Sequence, residues 1–198
     1  MPNICVVGAQ WGDEGKAGIV DMMADDAAWV VRFQGGPNAG HTVVVGEETF
    51  KLHLVPSGIV RPDVRCLVGQ GVVVDLETFY GEMDMLEGRG VGTSGRLFVS
   101  ARAHLIMPYH RVLDGLKESS SSKKIGTTLK GIGPCYADKV SYRGIRVADL
   151  MNPSLFQERL RSRLEDVNLL IEKVYGGEAL DFDEVHETFC RHRERLAP

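Results

Sequence analysis

The residues best suited to chemistry lie in a glycine-punctuated loop near the start of the chain, residues 8–16. The loop follows a short β-branched apolar run at residues 4–7 and precedes apolar residues at helical spacing over 17–24. This pattern predicts a strand, a loop and a helix in that order. Backbone N–H groups at such a strand-to-helix turn attract phosphate, and Lys16 adds a positive charge in the first helical turn. The loop therefore predicts a phosphate-binding site.

This loop differs from a Walker-type phosphate loop. Six residues separate Gly8 from Gly15, and Ala17 occupies the position where a Walker loop has its metal-binding hydroxyl. The acidic pair Asp13 and Glu14 is unusual, because carboxylates repel phosphate unless a cation bridges them or a carboxylate is itself a catalyst. We therefore expect Asp13 or Glu14 to be a metal ligand, a general base or both. The alternative is a simple glycine turn whose acids are solvated.

A second glycine-rich loop, within residues 32–42, follows another apolar run at residues 28–31. It contains three glycines together with the amide of Asn38, the imidazole of His41 and the hydroxyl of Thr42. Polar groups of this kind beside a phosphate loop indicate a substrate site. Since an imidazole near its pKa can donate to an oxyanion, His41 is a suitable acid partner for Asp13. The alternative for His41 is a loop histidine hydrogen-bonded to a carbonyl group.

These motifs and others in the same order resemble those of the adenylosuccinate synthetase family, GTP-dependent ligases that join aspartate to IMP. The phosphate loop reads Gln-Trp-Gly-Asp-Glu-Gly-Lys, and the second loop reads Gln-Gly-Gly-x-Asn-Ala-Gly-His-Thr. Further matches lie at residues 52–59, 71–75, 125–128, 131–134 and 138–140. A match of this length and order is specific. The resemblance implies a P-loop-like GTP-dependent synthetase fold and a role in purine biosynthesis.

The resemblance also implies a role for individual residues. Asp13 matches the family base, which removes the N1 proton of IMP, and His41 matches the family acid. Lys16 is expected to contact phosphoryl oxygens, and Thr128 to hold the IMP phosphate. One Mg²⁺ ion is expected at Asp13 and the carbonyl of Gly40.

Two overlapping nucleotide sites follow from the same resemblance. Residues expected to contact IMP are Asp13, Glu14, Gly15, Lys16, Asn38, Ala39, Gly40, His41, Thr128 and Arg143. Residues expected to contact GTP are Gly12, Asp13, Glu14, Gly15, Lys16, Ala17, Gly18, Gly40, His41 and Thr42. Aspartate is the third expected substrate, and the family implies a homodimer.

Three departures from the family pattern bear on catalysis. Gly18 stands where the family has a second lysine in the phosphate loop. Leu129 replaces a glycine after the paired threonines, and leucine adopts a positive φ only at a cost. Tyr142 replaces the arginine that reaches the neighbouring subunit's IMP, and Arg143 is a hypothetical substitute for that charge.

Composition narrows the class of protein. With 198 residues and 43% hydrophobic content, the chain can bury one sizeable core or one domain with a helical appendage. The net charge of −4 argues against non-specific nucleic-acid binding. The four cysteines show no C-x-x-C pairing, so we expect reduced thiols and a cytoplasmic location. No apolar run predicts a membrane span.

The first hundred residues are predicted to form an α/β nucleotide-binding core, with a mainly parallel sheet and flanking helices. The predicted strands are residues 4–7, 29–33, 42–45, 49–54, 65–68 and 96–99. A hairpin turn is expected at residues 46–48 and a helix at 76–87. Both glycine loops would then lie at carboxyl ends of strands, where such sheets bind ligands.

Residues 101–198 are predicted to form a mostly helical subdomain. We expect a helix over 101–116, interrupted near Pro108, and then a polar connector at 118–124. Residues 125–144 are predicted to be an ordered glycine-rich loop that binds IMP. Apolar residues at three- and four-residue intervals predict helices over 156–174 and 182–196.

Two functions of different class fit these observations. The first is the N-terminal half of a GTP-dependent IMP–aspartate ligase, since the family's guanine-reading and aspartate-binding motifs are not found in these residues. The second is a catalytically inactive nucleotide-binding or dimerisation fragment of the same family. Asp13 and His41 together favour the first, because a binding module needs neither an acid nor a base. The three departures favour the second.

Overall fold

A computed structural model of the chain describes residues 3–9, 15–121 and 126–196. The chain divides into two compact units. The first comprises Met1–Val72 and Glu77–Ser100, and the second comprises Val73–Leu76 and Ala101–Pro198. Gly12, Asp13 and Glu14 of the predicted phosphate loop lie outside the described residues.

The first unit is an α/β structure. Its strands and helices, in chain order, are α1 (Lys16–Met23), β1 (Trp29–Gly35), β2 (His41–Val45), β3 (Glu48–Leu52), β4 (Arg65–Val74), α2 (Leu76–Gly88) and β5 (Leu97–Val99). Strand β4 lies between β1 and β5, and both pairs are parallel. β2 and β3 form an antiparallel hairpin around Gly46, whose φ of 60° suits glycine. The parallel sheet with helices is the predicted fold class.

The core of this unit forms around β4 and the chain that follows the hairpin. Fully buried apolar side chains include Leu52, Leu54, Val55, Ile59, Cys66, Val68 and Val72. Strand β4 extends beyond the predicted residue 68 because Gly71 allows a close approach to β1. A Cβ atom at Gly71 would collide with the carbonyl oxygen of Phe33, beside the register shift between Arg32 and Gln34.

The predicted strand over residues 4–7 is wrong. These residues have no regular secondary structure, and Ile4 and Val7 are exposed. Their β-branched composition favours an extended backbone, but a strand also needs a hydrogen-bonding neighbour. None of the described strands pairs with this segment.

The second unit is mostly helical. Its elements are β6 (His104–Leu105), α3 (Pro108–Ser120), α4 (Ile132–Val140), α5 (Val147–Leu150), α6 (Pro153–Tyr175) and α7 (Phe182–Leu196). Strand β6 pairs in parallel with Val73 and Val74, the last two residues of β4, which belong to this second unit. The predicted apolar face of α6 is buried at Phe156, Leu160, Leu164, Val167 and Ile171. Helices α6 and α7 confirm the two predicted C-terminal helices.

Three predictions for this unit are wrong. The polar connector predicted over 118–124 overlaps α3, which continues to Ser120. The helix predicted from residue 101 begins only at Pro108, because proline lacks an N–H group and is best placed in the first turn. Residues 104–105 form β6 instead. The loop predicted over 125–144 contains α4, whose Pro134 likewise lies in the first turn, where no intrahelical N–H bond is lost.

In the described ranges, no helix has the length and apolar character needed to cross a membrane. All four cysteines are free thiols, as the sequence predicts.

Candidate functional site

The described ends of the phosphate loop, at Gly8 and at Gly15 and Lys16, line one cavity of the first unit together with the second glycine loop. Its volume is about 690 Å³. Its walls are formed by the start of α1, most of β1 and the start of β2, with residues 6–8 and 56–57. Predicted site residues on its lining are Gly15, Lys16, Ala17, Gly18, Ala39, Gly40, His41 and Thr42. Asn38 is exposed in the same loop and does not line the cavity.

Gly15 sets the start of α1. It has a left-handed backbone, with φ 73° and ψ 27°, and the helix begins at the next residue, Lys16. The N–H of Gly18 donates to the carbonyl of Gly15 at 3.0 Å and closes the first turn. A glycine is needed here because other residues adopt this conformation at a cost. The turn places Lys16 and the helix N-terminus on the cavity, an arrangement that attracts anions.

His41 is the first residue of β2 and is paired with Leu52 of β3. Its Nε2 atom is buried and has no hydrogen-bond partner among the described residues. The ring hydrogen-bonds to the backbone of Val55. Since Nε2 has no described partner, we assign this bond to Nδ1, which donates to the Val55 carbonyl. Burial, together with the nearby Arg32 guanidinium, lowers the pKa of His41 to about 4. The imidazole is therefore neutral at pH 7, and Nε2 is available to a ligand.

Gly40 precedes His41, and its lack of a side chain leaves room for the ring of His53. A Cβ atom at Gly40 would lie 3.0 Å from Nε2 of His53. A larger residue would displace either the glycine loop or this imidazole. The Gly40 backbone itself is exposed.

The sequence reasoning missed the residues that hold the second glycine loop. Nη2 of Arg32 donates to the carbonyl of Gly36 at 2.7 Å, and Nη1 donates to the carbonyl of His53. The carboxylate of Glu82 on α2 accepts hydrogen bonds from the backbone at residues 53–55. The His53 partner of Arg32 lies 21 residues away along the chain, and the partners of Glu82 lie 27 to 29 residues away, so no local pattern identifies these contacts.

Thr128 and Arg143 lie in the second unit. Thr128 is exposed, and Nη1 of Arg143 lies 3.5 Å from a carboxylate oxygen of Asp166 at the surface. The neighbouring Tyr142 is 94% exposed and has a φ of 61°. Neither Thr128 nor Arg143 lines the cavity of the first unit.

No group of three or more His, Cys, Asp or Glu side chains within the described part of the chain is arranged to hold a metal ion. Of the two predicted magnesium ligands, Asp13 lies outside the described residues. Gly40 is exposed and lines the same cavity as Lys16 and His41. A cation here would take oxygen ligands from bound phosphates as well as from the protein.

The model of the adenylosuccinate synthetase family matches residues 5–198 of this chain. An adenylosuccinate synthetase of Clostridium botulinum (strain Langeland) is 53% identical over 200 residues, covering 100% of this chain and 47% of the relative. One of Clostridium kluyveri is 54% identical with the same coverage. A solved structure of fully ligated adenylosuccinate synthetase from Plasmodium falciparum has a TM-score of 0.83 and 33% identity, covering 96% of this chain and 44% of that one.

The chain spans about half the length of the curated relatives that it matches. Within that half, the match includes both glycine loops and the fold that brings them to one cavity. The structural likeness extends to both units, since nearly the whole chain is covered. The chain belongs to the adenylosuccinate synthetase family.

Proposed function

We propose that this chain supplies the phosphate-binding and acid–base half of a GTP-dependent ligase that joins aspartate to IMP, giving adenylosuccinate for AMP synthesis. Family membership supports the class of reaction. The observation that carries the chemistry is His41, whose buried Nε2 has no described partner and whose ring lines the same cavity as Lys16. A buried nitrogen with no partner is costly, and a phosphoryl oxygen would accept a hydrogen bond from Nε2 once that nitrogen carries a proton.

The proposed reaction has two steps. The Asp13 carboxylate accepts the N1 proton of IMP, and O6 then attacks the γ-phosphorus of GTP. The O6–P bond forms while the bond to the β,γ-bridging oxygen breaks, and GDP leaves with that electron pair. The amine of aspartate then attacks C6. The C6–O6 bond breaks, phosphate leaves with the electron pair, and the new amine loses its proton.

His41 and Lys16 act on the charge that develops during phosphoryl transfer. Because Nδ1 donates to Val55, His41 reaches a ligand only through Nε2, which donates once the ring has gained a proton. A phosphate anion against Nε2 favours that protonated form by opposite charge. The imidazolium can then donate to the bridging oxygen as its charge grows, and Lys16 contacts the neighbouring phosphoryl oxygens.

Magnesium fits this proposal because it typically takes one or two protein oxygens and fills its shell with phosphates and water. The Asp13 carboxylate and the Gly40 carbonyl would hold it. When bound, the ion neutralises phosphoryl charge and orients the transferring group. We also propose a cytoplasmic homodimer in which Thr128 and Arg143 contribute to IMP binding.

A chimera tests the proposal. Residues 1–198 of this chain replace the matching part of the Clostridium kluyveri relative, and phosphate release is measured with IMP, GTP, Mg²⁺ and aspartate. We expect release that requires both IMP and aspartate and that falls at least a hundredfold in Asp13→Ala and His41→Asn variants. Release that persists unchanged in both variants would refute the assigned acid and base.

The second candidate is a nucleotide-binding or dimer-forming fragment without activity. It is favoured by Tyr142, an exposed aromatic residue where the resemblance predicts an arginine. In that case a folded chimera binds IMP and GTP by calorimetry but releases no phosphate. Exchange of Tyr142 for arginine in the chimera then shows whether this position accounts for the loss.

A further inference from the structure

Glu82 is a buried acid on α2, 5% exposed, that lies outside the cavity. Its carboxylate accepts three successive backbone N–H groups. Oε1 accepts from His53, while Oε2 accepts from Leu54 at 3.1 Å and from Val55 at 2.9 Å. Nδ1 of His53 also lies 3.2 Å from Oε1. One side chain thus holds the whole turn at residues 53–55.

The opposite side of this turn is also held. Arg32 on β1 donates through Nη1 to the carbonyl of His53 and through Nη2 to the carbonyl of Gly36. The backbone of His53 is therefore fixed by a carboxylate at its N–H and by a guanidinium at its carbonyl. Leu54 and Val55 are completely buried, so their N–H groups have no access to water. A turn held in this way has little freedom to shift.

The same turn makes two contacts with the candidate site. The carbonyl of Val55 accepts the hydrogen bond from the ring of His41. The ring of His53 lies against Gly40, where a Cβ atom would be 3.0 Å from Nε2. The loop carrying Gly40 and His41 thus rests on a turn whose position depends on Glu82.

We propose that Glu82 is a positioning residue for His41: by fixing the turn at residues 53–55, it aims the Val55 carbonyl at Nδ1 and so leaves Nε2 facing the ligand. Glu82 touches no reacting atom and acts through the backbone. The catalytic significance of this positioning rests on the proposed function. The positioning itself is a property of the folded chain and can be measured without substrate.

The test is the tautomer of the His41 ring, measured by NMR in the 198-residue chain labelled with ¹⁵N-histidine. The His41 signals are assigned by their loss in a His41→Gln variant. In the unsubstituted chain at pH 7.5 we expect the ring shifts of a single tautomer protonated at Nδ1. Glu82→Gln replaces one acceptor oxygen by an amide N–H₂ group that cannot accept from the turn. We expect this variant to show averaged shifts from both tautomers. Asp84→Asn, at an exposed position of the same helix, is the matched control and should leave the shifts unchanged.

A second measurement needs no substitution. Amide hydrogen exchange of His53, Leu54 and Val55 is compared with that of the exposed hairpin residues Gly46 and Glu47 in the unsubstituted chain. We expect at least a hundredfold slower exchange in the turn. Exchange at the same rate in both segments would overturn the proposal, whether or not Glu82→Gln folds.

The catalytic consequence is measured in the chimera. Glu82→Gln should lower kcat for phosphate release about tenfold and leave KM for IMP within twofold, because only the orientation of the acid changes. His41 ring shifts that stay at their original values in folded Glu82→Gln would overturn the positioning role. If neither chimera releases phosphate, the proposed function fails, while the tautomer result still decides the role of Glu82.

Discussion

At the scale of the residue, Leu129 stores backbone strain. It has a φ of 55° and is exposed, so no buried contact offsets the cost of the left-handed conformation. Glycine adopts this conformation without a Cβ clash but loses more entropy on folding. We therefore expect Leu129→Gly to raise the free energy of unfolding by about 0.5 to 1 kcal/mol. Urea unfolding measures the change.

The control for this prediction is Leu169→Gly. Leu169 is similarly exposed, at 60% against 52% for Leu129, but lies inside α6, where φ is negative. Glycine in a helix interior should lower stability by about 1 kcal/mol. The two variants remove the same side chain, so opposite signs isolate the backbone effect. Destabilisation by both would show that Leu129 is not strained.

His104, in β6, makes the free energy of unfolding depend on pH. Burial, with the nearby Lys139 and Arg146, lowers its pKa to about 4, although Asp149 opposes this. Between pH 6.5 and 4 the unfolded chain binds a proton that the folded chain does not, so stability falls as pH decreases through this range. His104→Gln should reduce that loss by about 1 to 2 kcal/mol, since the ring is partly solvated.

Urea unfolding at pH 4.5 and 7 measures this difference. Between pH 7 and 8.5 neither state of His104 titrates, so the stability difference between variant and original should stay constant there. His41 also has a lowered pKa, and its contribution cancels in the comparison. His110 lowers the pKa of His104 by like charge, so the measured difference includes that pairwise interaction. If His104→Gln loses as much unfolding free energy between pH 7 and 4.5 as the original chain, His104 is not responsible for this pH dependence.

A residue of the site could be predicted from the sequence only where adjacent residues form a recognisable motif. Lys16 and His41 lie in loops whose glycines and polar groups are adjacent, so their place on one cavity was predictable. Glu82 has no such signal, because its partners lie 27 to 29 residues away along the chain. The ring state of His41 depends on the Val55 carbonyl, which no residue type encodes.

At the scale of the element, helices α3, α4 and α6 share one buried ionic network. Asp138 on α4 accepts from Arg163 Nε at 2.8 Å and Nη2 at 2.6 Å, and Nε2 of His110 lies at 3.1 Å. Burial would raise the pKa of Asp138, but these partners hold it below its usual value. The carboxylate is therefore charged at neutral pH and couples the three helices.

We expect Asp138→Ala to lower the free energy of unfolding by about 3 to 5 kcal/mol, because Arg163 would stay mostly buried without its partner. Thermal and urea unfolding measure the loss. Asp166→Ala is the matched control. Asp166 lies near Arg143 and Arg163 at the surface, and its loss should change stability by no more than about 0.5 kcal/mol. Equal effects of the two variants would contradict the network.

Elements with a strong hydrophobic period could be predicted from the sequence, and short ones could not. α6 is defined by five buried residues at helical spacing, and β1 by an apolar run. Strand β6 has two residues and exists because the end of β4 is available to pair with it. Residues 4–7 have strand composition but no described partner strand. Local composition favours an extended backbone, whereas hydrogen bonding to a neighbouring strand decides whether a β-strand forms.

At the scale of the whole molecule, the first unit has an exposed apolar strand at the edge of its described sheet. Trp29, Val31 and Phe33 alternate along β1, lie on one face and are 43, 48 and 45% exposed. Val31 and Phe33 also line the candidate cavity. The ring of Trp29 lies 5.4 Å from that of Phe98 on β5, which extends the apolar surface. Exposed apolar strands at sheet edges promote association.

We expect the chain to self-associate as its concentration rises, with this face as the contact. Val31→Thr combined with Phe33→Thr places β-branched residues, which suit a strand, at both positions while removing apolar surface. It should lower the weight-average sedimentation coefficient and reduce binding of an apolar dye. Leu169→Thr combined with Val174→Thr removes similarly exposed residues from α6 and should change neither. If both pairs reduce association equally, general hydrophobicity is responsible. A reduction confined to the β1 pair means that one strand controls association, because its alternating side chains form a continuous surface that scattered residues do not.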